Sequence, residues 1–300
     1  MIDDKPLVSI GVPVYNGERF IRQALNSLLD QDYENFELII SDNASTDQTP
    51  EICQEYVVKD KRVRFYRNDT NLGAITNFDR VLALSSGKYF MWAGSHDLWH
   101  PTFVSRCVSI LEMDNDVCLA YSRTMLIDQN DTFLYIMSDQ VDTRGMAPAQ
   151  RYKYLLFNLD WCNMIYGVIR RDVLLQTGAF RNVFSPDHAL LAELSLIGQF
   201  AQINEPLYYR RKNRADEDLE VWRQRVLHDL FPTTYNEHCT KSLGSLYKDL
   251  FDMHLKIIYD SPLRISTKAN MAVFAFIWFL LVQYGLLKRN HLEKSAHKRK

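Results

Sequence analysis

Gly87-Lys88-Tyr89-Phe90-Met91-Trp92-Ala93-Gly94-Ser95-His96-Asp97-Leu98-Trp99-His100-Pro101 is the stretch on which the reading of the whole chain turns. Its first half is an aromatic, apolar run after a glycine, too short for a helix and suited to a buried strand. It breaks at Gly94 and then offers Ser95, His96 and Asp97 in succession. An imidazole beside a carboxylate at the end of a buried strand has the chemistry of half a divalent-cation site. A capping turn, with Ser95 or Asp97 holding the next helix, accounts for the same residues. Their neighbours in the fold decide between the two.

Before this stretch the periodicity alternates. Leu7 to Val14 reads as a strand apolar on both faces, ending near Pro13, which cannot donate to a ladder. A helix follows from about Glu18 to Asp30, with Phe20, Ile21, Ala24, Leu25, Leu28 and Leu29 on one stripe. Phe36 to Ile40 is a second strand and runs into Ser41-Asp42-Asn43-Ala44-Ser45-Thr46-Asp47, a loop dense in short oxygen-bearing side chains. The next helix is predicted with Thr49 as N-cap and Pro50 at its first position. Arg62 to Arg67 makes a third strand, Asn71-Leu72-Gly73 a turn, and Ile75, Phe78, Val81, Leu82 and Leu84 the stripe of a helix that returns to Gly87. Three strand–helix pairs followed by a fourth strand predict a parallel sheet covered by helices on both faces. Ligands bind such sheets at the carboxyl ends of the strands, so Tyr15, Asp42 and His96–Asp97 are expected on one rim.

Beyond it, Val117–Ile127 and Thr132–Ile136 read as a hairpin, Ala149–Phe157 as a helix and Met164–Ile169 as a short strand. Gly178-Ala179-Phe180 precedes Ser185-Pro186-Asp187-His188 and an apolar helix ending at Gly198. Phe200–Ile203 and Leu207–Arg210 read as two extended pieces, closing on Arg210-Arg211-Lys212. After about Arg214 charged helical segments begin, which places a boundary near residue 215: a domain over 1–215 and a helical extension over 216–300.

Composition narrows the class. With 300 residues and 47% hydrophobic content the chain can bury a substantial core, and a net charge of −2 offers no general attraction to nucleic acid. The five cysteines are scattered with no Cys-X-X-Cys pair, which suits reduced thiols rather than a disulfide framework or zinc site. Met1-Ile2-Asp3-Asp4-Lys5-Pro6 lacks the apolar stretch of a signal peptide, so a cytoplasmic location is expected.

Val8-Ser9-Ile10-Gly11-Val12-Pro13-Val14-Tyr15-Asn16, the Ser41–Asp47 loop, Asn71-Leu72-Gly73 and Gly87 to Asp97 together resemble glycosyltransferase family 2, in order and spacing. The match is dense over 7–104 and thinner to about 212. The resemblance implies a GT-A fold: α/β, with a Rossmann-like, mostly parallel sheet. It also implies an inverting transfer of sugar from a nucleotide-diphosphate donor, UDP- or dTDP-type, to the hydroxyl of a sugar or lipid-linked sugar acceptor in polysaccharide or glycolipid assembly. By that resemblance Pro13 and Tyr15 lie against the nucleobase, and Asn16, Asp42, Asn43, Asn77 and Ser95 contact the nucleotide sugar. Arg210, with Arg211 and Lys212, would stand near its phosphates. The family often has a second carboxylate where Asn43 stands. Its Asp-X-Asp element falls on Gly94-Ser95-His96, so the metal-binding carboxylate maps to His96, followed by Asp97. Histidine suits Mn²⁺ better than Mg²⁺, so the expected cofactor is a divalent cation with Mn²⁺ favoured. The family's catalytic base, a carboxylate opening a helix after a Gly-Phe turn, maps to Asp187. A helix N-terminus favours its ionised form, so no special pKa shift is expected. The eroded acidic element also admits another reading, a catalytically silent nucleotide-sugar-binding or scaffold subunit.

Met271–Val282 is an unbroken apolar run inside 269–287, flanked by Arg264 and Lys268 before it and by Lys288, Arg289, Lys294, Lys298, Arg299 and Lys300 after it. The clean run is short for a span, and a span would carry the basic tail away from the cytoplasm, against the positive-inside tendency. A helix lying on the inner face of the cell membrane meets both constraints, and packing against the domain or a second subunit is the alternative.

Overall fold

The computed structural model describes residues 5–138, 140–159, 161–212 and 219–283. Its centre is one mixed sheet. Strands β1 (Val8–Val14), β2 (Phe36–Asp42), β3 (Val63–Arg67) and β4 (Tyr89–Trp92) pair in parallel in the spatial order β3-β2-β1-β4. Every residue of β1, β2 and β4 is buried, which is what strands covered on both faces require. The helices between them are α1 (Ile21–Leu29), α2 (Thr49–Lys59) and α3 (Ala74–Ala83). In α1, Ile21, Ala24, Leu25 and Leu28 form the buried stripe that the spacing predicts.

The sheet continues beyond β4 with a change of direction. Strand β8 (Val168–Arg170) runs antiparallel to β4 and to β6 (Val117–Ile127), β6 runs parallel to β9 (Gln199–Arg211), and the two-residue β5 (Leu98–Trp99) closes the edge antiparallel to β9. β7 (Phe133–Ile136) is the hairpin partner of β6. Helices α4 (Phe103–Met113), α5 (Pro148–Asn158), the short α6 (Arg171–Leu174) and α7 (Pro186–Ile197) cover this half. One core lies on the face under α1, α2 and α4, and a second on the opposite face under α3, α5 and α7. Close packing at the centre leaves no room for a side chain at Gly11, where a Cβ would come 2.7 Å from Val81.

Several elements differ from the sequence reading, each for a local reason. The first helix starts at Ile21 rather than near Glu18, because Asn16 sits in the left-handed region at φ 49° and Gly17 donates its N–H to Thr49 Oγ1 at 2.8 Å. Thr49 is the first residue of α2, with Gln48 as its cap, and its hydroxyl ties the first loop to the second by accepting from Gly17 and donating to Asp47. The apolar run expected as a strand over Met164–Ile169 is split into a 3-10 helix, Cys162–Tyr166, and the short β8, an ambiguity that short apolar runs carry by nature. The two extended pieces at 200–210 are one strand, which loses register with β6 around Arg123 and Pro206, where proline has no N–H to give.

The C-terminal part consists of α8 (Leu219–Leu230), a single turn α9 (Tyr235–His238), α10 (Leu243–Asp260) and α11 (Ile265–Gln283). Leu250, Ile257, Ile258, Met271, Ala275 and Trp278 join the same apolar cluster as Phe90 and Trp92 of the sheet, so these helices share the core of the α/β unit. The boundary expected near 215 and the basic residues after 283 lie outside the described residues. α11 is long and apolar enough to cross a membrane by length and composition. One face packs inward through Met271, Ala275, Trp278 and Val282, while Val273, Phe276 and Ile277 face outward.

Arg211 ends β9 with its side chain wholly buried. It donates from Nε to His96 O at 2.8 Å, from Nη1 to Asp128 O at 3.1 Å and from Nη2 to Gln23 Oε1 at 3.1 Å, and lies over the Phe20 ring at 4.5 Å. Three segments, the start of α1, the turn after β4 and the loop after β6, meet on the guanidinium of β9. Arg211→Met should lower unfolding stability by about 3 kcal/mol, because the carbonyls it serves lose their donors in a buried place. Asp131, its half-exposed ion-pair partner, can turn to water and adds little. Urea unfolding measures this, and a loss below about 1 kcal/mol would show that the junction is not held by Arg211.

Candidate active site

The carboxyl rim of the parallel strands carries the first group of predicted residues. Pro13 is buried in β1 opposite Ser41, and the next loop exposes Tyr15, 46% accessible, at the strand's end. Asn16 accepts at Oδ1 from the Thr46 N–H at 2.9 Å, and its own N–H donates to Ser45 Oγ at 2.8 Å, locking the first loop to the second. Asp42 is fully buried; its oxygens accept from the Ser45 N–H at 3.2 and 3.3 Å, and Arg67 Nε stands 3.3 Å away.

Asn43 and Asn77 sit deeper than the sequence suggests. Asn43 donates to Asn71 Oδ1 at 2.7 Å and Gly73 O at 3.2 Å, and accepts from Asn68 Nδ2 at 2.8 Å and Leu72 N at 2.9 Å. Asn77 accepts from Ser41 Oγ at 2.7 Å and donates to Ser41 O at 2.8 Å. Both amides are spent on holding the rim loops together.

The turn after β4 places Ser95, His96 and Asp97 on the same rim. Asp97 is buried: Tyr208 Oη donates to Oδ2 at 2.6 Å and the Arg211 N–H to Oδ1 at 2.8 Å. A Cβ on Gly94 would come 2.5 Å from Asp97 Oδ2, so glycine is what lets the carboxylate fold back under the turn. His96 is more open, 37% exposed, with Nε2 3.7 Å from Asp97 Oδ1. Among the described residues no three His, Cys, Asp or Glu side chains converge as a metal cage. The His96–Asp97 pair supplies two donors and is by itself an incomplete donor set.

Asp187 opens α7 behind the left-handed Ser185, φ 58°, and accepts the His188 N–H at 2.9 Å. Its pKa is raised above the ordinary aspartate range by burial, against the opposing effects of the His188 N–H, Cys162 and Arg210. The expectation of no special shift was therefore wrong: desolvation outweighs the helix terminus. Arg210 donates to Asn163 Oδ1 at 2.8 Å and stands 4.8 Å over the Trp161 ring. Asp187 and Arg210 line one cavity of about 580 Å³. Arg211 does not join them, being the buried junction described above.

Sequence reasoning missed the aromatic bridge between these groups. Tyr208 stacks on Trp99 at 5.5 Å, and its ring lies 5.5 Å from that of Tyr166. Tyr166 feels the charges of Asp97, Asp187 and Arg210 together, so the turn after β4 and the start of α7 border one region. No local pattern signals this, because the three rings come from distant parts of the chain. His188 was also left without a partner. It is buried, with Nδ1 3.2 Å from His254 Nε2, while His254 Nδ1 lies 2.9 Å from Tyr152 Oη and the His188 ring stacks on Trp278 at 5.2 Å.

A parallel sheet that turns antiparallel past β4, with acidic and aromatic residues gathered on the carboxyl rim, defines a GT-A fold. The chain belongs to glycosyl transferase family 2, whose model matches residues 9–174. An uncharacterized glycosyltransferase of Rickettsia typhi is 32% identical over 171 residues, 57% of this chain and 50% of the relative. The putative teichuronic acid biosynthesis glycosyltransferase TuaG of Bacillus subtilis is 30% identical over 132 residues, 44% of this chain and 52% of the relative. The chain spans about half the length of these curated relatives. Among solved structures, S. aureus TarS 1-349 in complex with UDP-GlcNAc superposes with a TM-score of 0.68 at 16% identity, covering 94% of this chain and 75% of TarS. Mannosyltransferase PcManGT from Pyrobaculum calidifontis, in complex with GDP-Man and Mn²⁺, gives 0.54 at 17% identity, with 95% and 82% covered.

Proposed function

We propose that this protein is an inverting glycosyltransferase that moves a sugar from a nucleotide-diphosphate donor, UDP- or dTDP-type, to an acceptor hydroxyl. The observation that carries the reading is Asp187, a carboxylate at the head of α7 on the wall of a cavity, with Arg210 beside it. The base of the donor stacks on Tyr15, and Asp42 receives its hydrogen bonds, with Pro13 behind and Asn16, Asn43 and Asn77 keeping the loops in place. Ser95 and Arg210 face the diphosphate side. In the transfer the acceptor oxygen forms a bond to the anomeric carbon as the bond to the diphosphate oxygen breaks. The electron pair leaves with the nucleoside diphosphate, and the hydroxyl proton passes to Asp187.

His96 Nε2 and the remaining lone pairs of Asp97 would hold a divalent cation arriving with the donor, which would offset the charge of the departing diphosphate. Imidazole ligation favours Mn²⁺ over Mg²⁺. Calorimetric titration with UDP should show tighter binding in Mn²⁺ than in Mg²⁺, by at least several-fold, and His96→Ala should erase the difference. Equal binding in both metals by the unaltered protein would remove His96 from the ligand set.

The outward face of α11, with Val273, Phe276 and Ile277, suits contact with the inner membrane surface beside the basic flanks. The unaltered protein should float with anionic vesicles, and replacing these three residues by serine should abolish flotation with little loss of stability. Deleting the helix is no substitute, because its other face belongs to the core. A protein that stays unbound at low salt has no such surface.

The reading as a whole is tested by a screen of nucleotide sugars for donor hydrolysis or transfer. Binding without turnover across donors, metals and acceptors would favour the silent subunit instead.

A further inference from the structure

The cavity at Asp187 is larger and more apolar than a hydroxyl group needs. It holds about 580 Å³, and its walls come from both the α/β unit and the C-terminal helices. Ile75 and Phe78 of α3, Leu156 of α5, Val226 of α8, and Leu250 of α10 supply aliphatic and aromatic surface, joined by Trp161, Trp222 and Trp278. Asp187 and Arg210 mark one polar part of the lining. Pockets of this size hold a ligand mainly by apolar area, with a few polar groups fixing its orientation. Ser185, His188 and Arg225 also reach the lining, but its aliphatic part offers no partner to the hydroxyls of a free oligosaccharide, which would stay unpaired there at a cost for each.

We propose that this cavity is the binding site for an apolar chain carried by the acceptor, of isoprenoid or acyl type, with an anionic head toward Arg210 and the reacting hydroxyl toward Asp187. The proposal rests on the reading of Asp187 as the base. A second observation connects the cavity with a lipid source: α11 lines it from inside through Trp278 and Val282 and presents Val273, Phe276 and Ile277 on its outer side. One helix thus separates the chain site from the surface proposed to lie on a membrane. Each methylene taken from water into such a site contributes about 0.8 kcal/mol, so affinity should climb steeply with chain length.

The test uses the full chain and its own fluorescence, since three of its five tryptophans line the cavity. Farnesyl phosphate and dodecyl phosphate are titrated below their micelle concentrations, with a brominated dodecyl phosphate as quencher and inorganic phosphate and free glucose as controls. Long-chain phosphates should give saturable quenching or a spectral shift at least tenfold tighter than phosphate alone. At equal carbon number, with pentadecyl phosphate set against farnesyl phosphate, the tighter binder identifies the chain as acyl or isoprenoid. Val226→Phe and Ile75→Phe, which fill the cavity from α8 and α3, should each weaken chain binding about tenfold while UDP binding is kept as evidence of folding. Unsaturable quenching, chain binding unchanged in both filled variants, or a response to glucose and none to the chains would overturn the proposal. Asp187→Asn separates the two readings: chain binding that persists while transfer also survives removes the base alone, and absent chain binding with transfer lost removes the chain site alone.

Discussion

Asp187→Asn is expected to abolish transfer, lowering its rate by about 10²–10⁴ while leaving folding and donor binding in place. The substituted amide keeps the shape of the carboxylate and can still accept the His188 N–H at its oxygen. It cannot take the proton of the acceptor hydroxyl, so the loss should fall on turnover rather than on donor affinity. The same site predicts a pH profile. Burial raises the Asp187 pKa, so the rate should rise with pH through a midpoint above the ordinary aspartate range, with Asp187 active only when ionised. Transfer surviving within a few-fold in the variant would exclude Asp187 as the base and direct the search to Glu193 and His188.

The second large effect concerns acid stability. Burial lowers the His188 pKa to about 4, and burial followed by the charge of His188 lowers that of His254 well below the usual histidine range. Both rings are therefore neutral in the folded protein, while in the unfolded chain each takes a proton near pH 6.5. Their stabilising contribution is complete above about pH 6.5 and is lost as the pH falls toward about 4, with a slope near 1.4 kcal/mol per pH unit for each ring. For His188 alone the total is roughly 3 kcal/mol. The two rings join α7 to α10, and His188 stacks on Trp278 of α11 while His254 meets it edge-on, so the C-terminal helices should loosen first. Urea unfolding between pH 7 and 4 measures the slope, and His188→Gln should flatten it. A wild-type curve parallel to that of the variant would mean that the rings titrate normally.

The parallel half of the fold was legible because its signals are local. The Ile21–Leu28 stripe has the helical period, β1 and β2 are built mainly from apolar residues, and Gly94 marks the end of β4. The second half was harder because its signals are short or non-local. The 162–169 run has no periodicity to separate 3-10 helix from strand, and β5 has two residues and exists only through Tyr208 and Tyr209 across the sheet. Arg210 and Arg211 were read as one basic cluster, yet neighbours on a strand face opposite sides. One lines the cavity and the other is buried over Phe20, a distinction that strand alternation alone could have raised. Asp187 was placed by its motif, but its environment is set by Cys162, Arg210 and the cavity, which no spacing encodes. The same holds for His188, whose partners His254 and Trp278 lie in helices that the family resemblance does not reach.

The central claim is a single displacement with Asp187 as base, and the configuration of the product tests it most directly. With a donor identified by the screen, the anomeric proton of the product is read by nuclear magnetic resonance before any later equilibration. The account predicts a glycoside of configuration opposite to that of the donor; a product that retains the donor's configuration would contradict it.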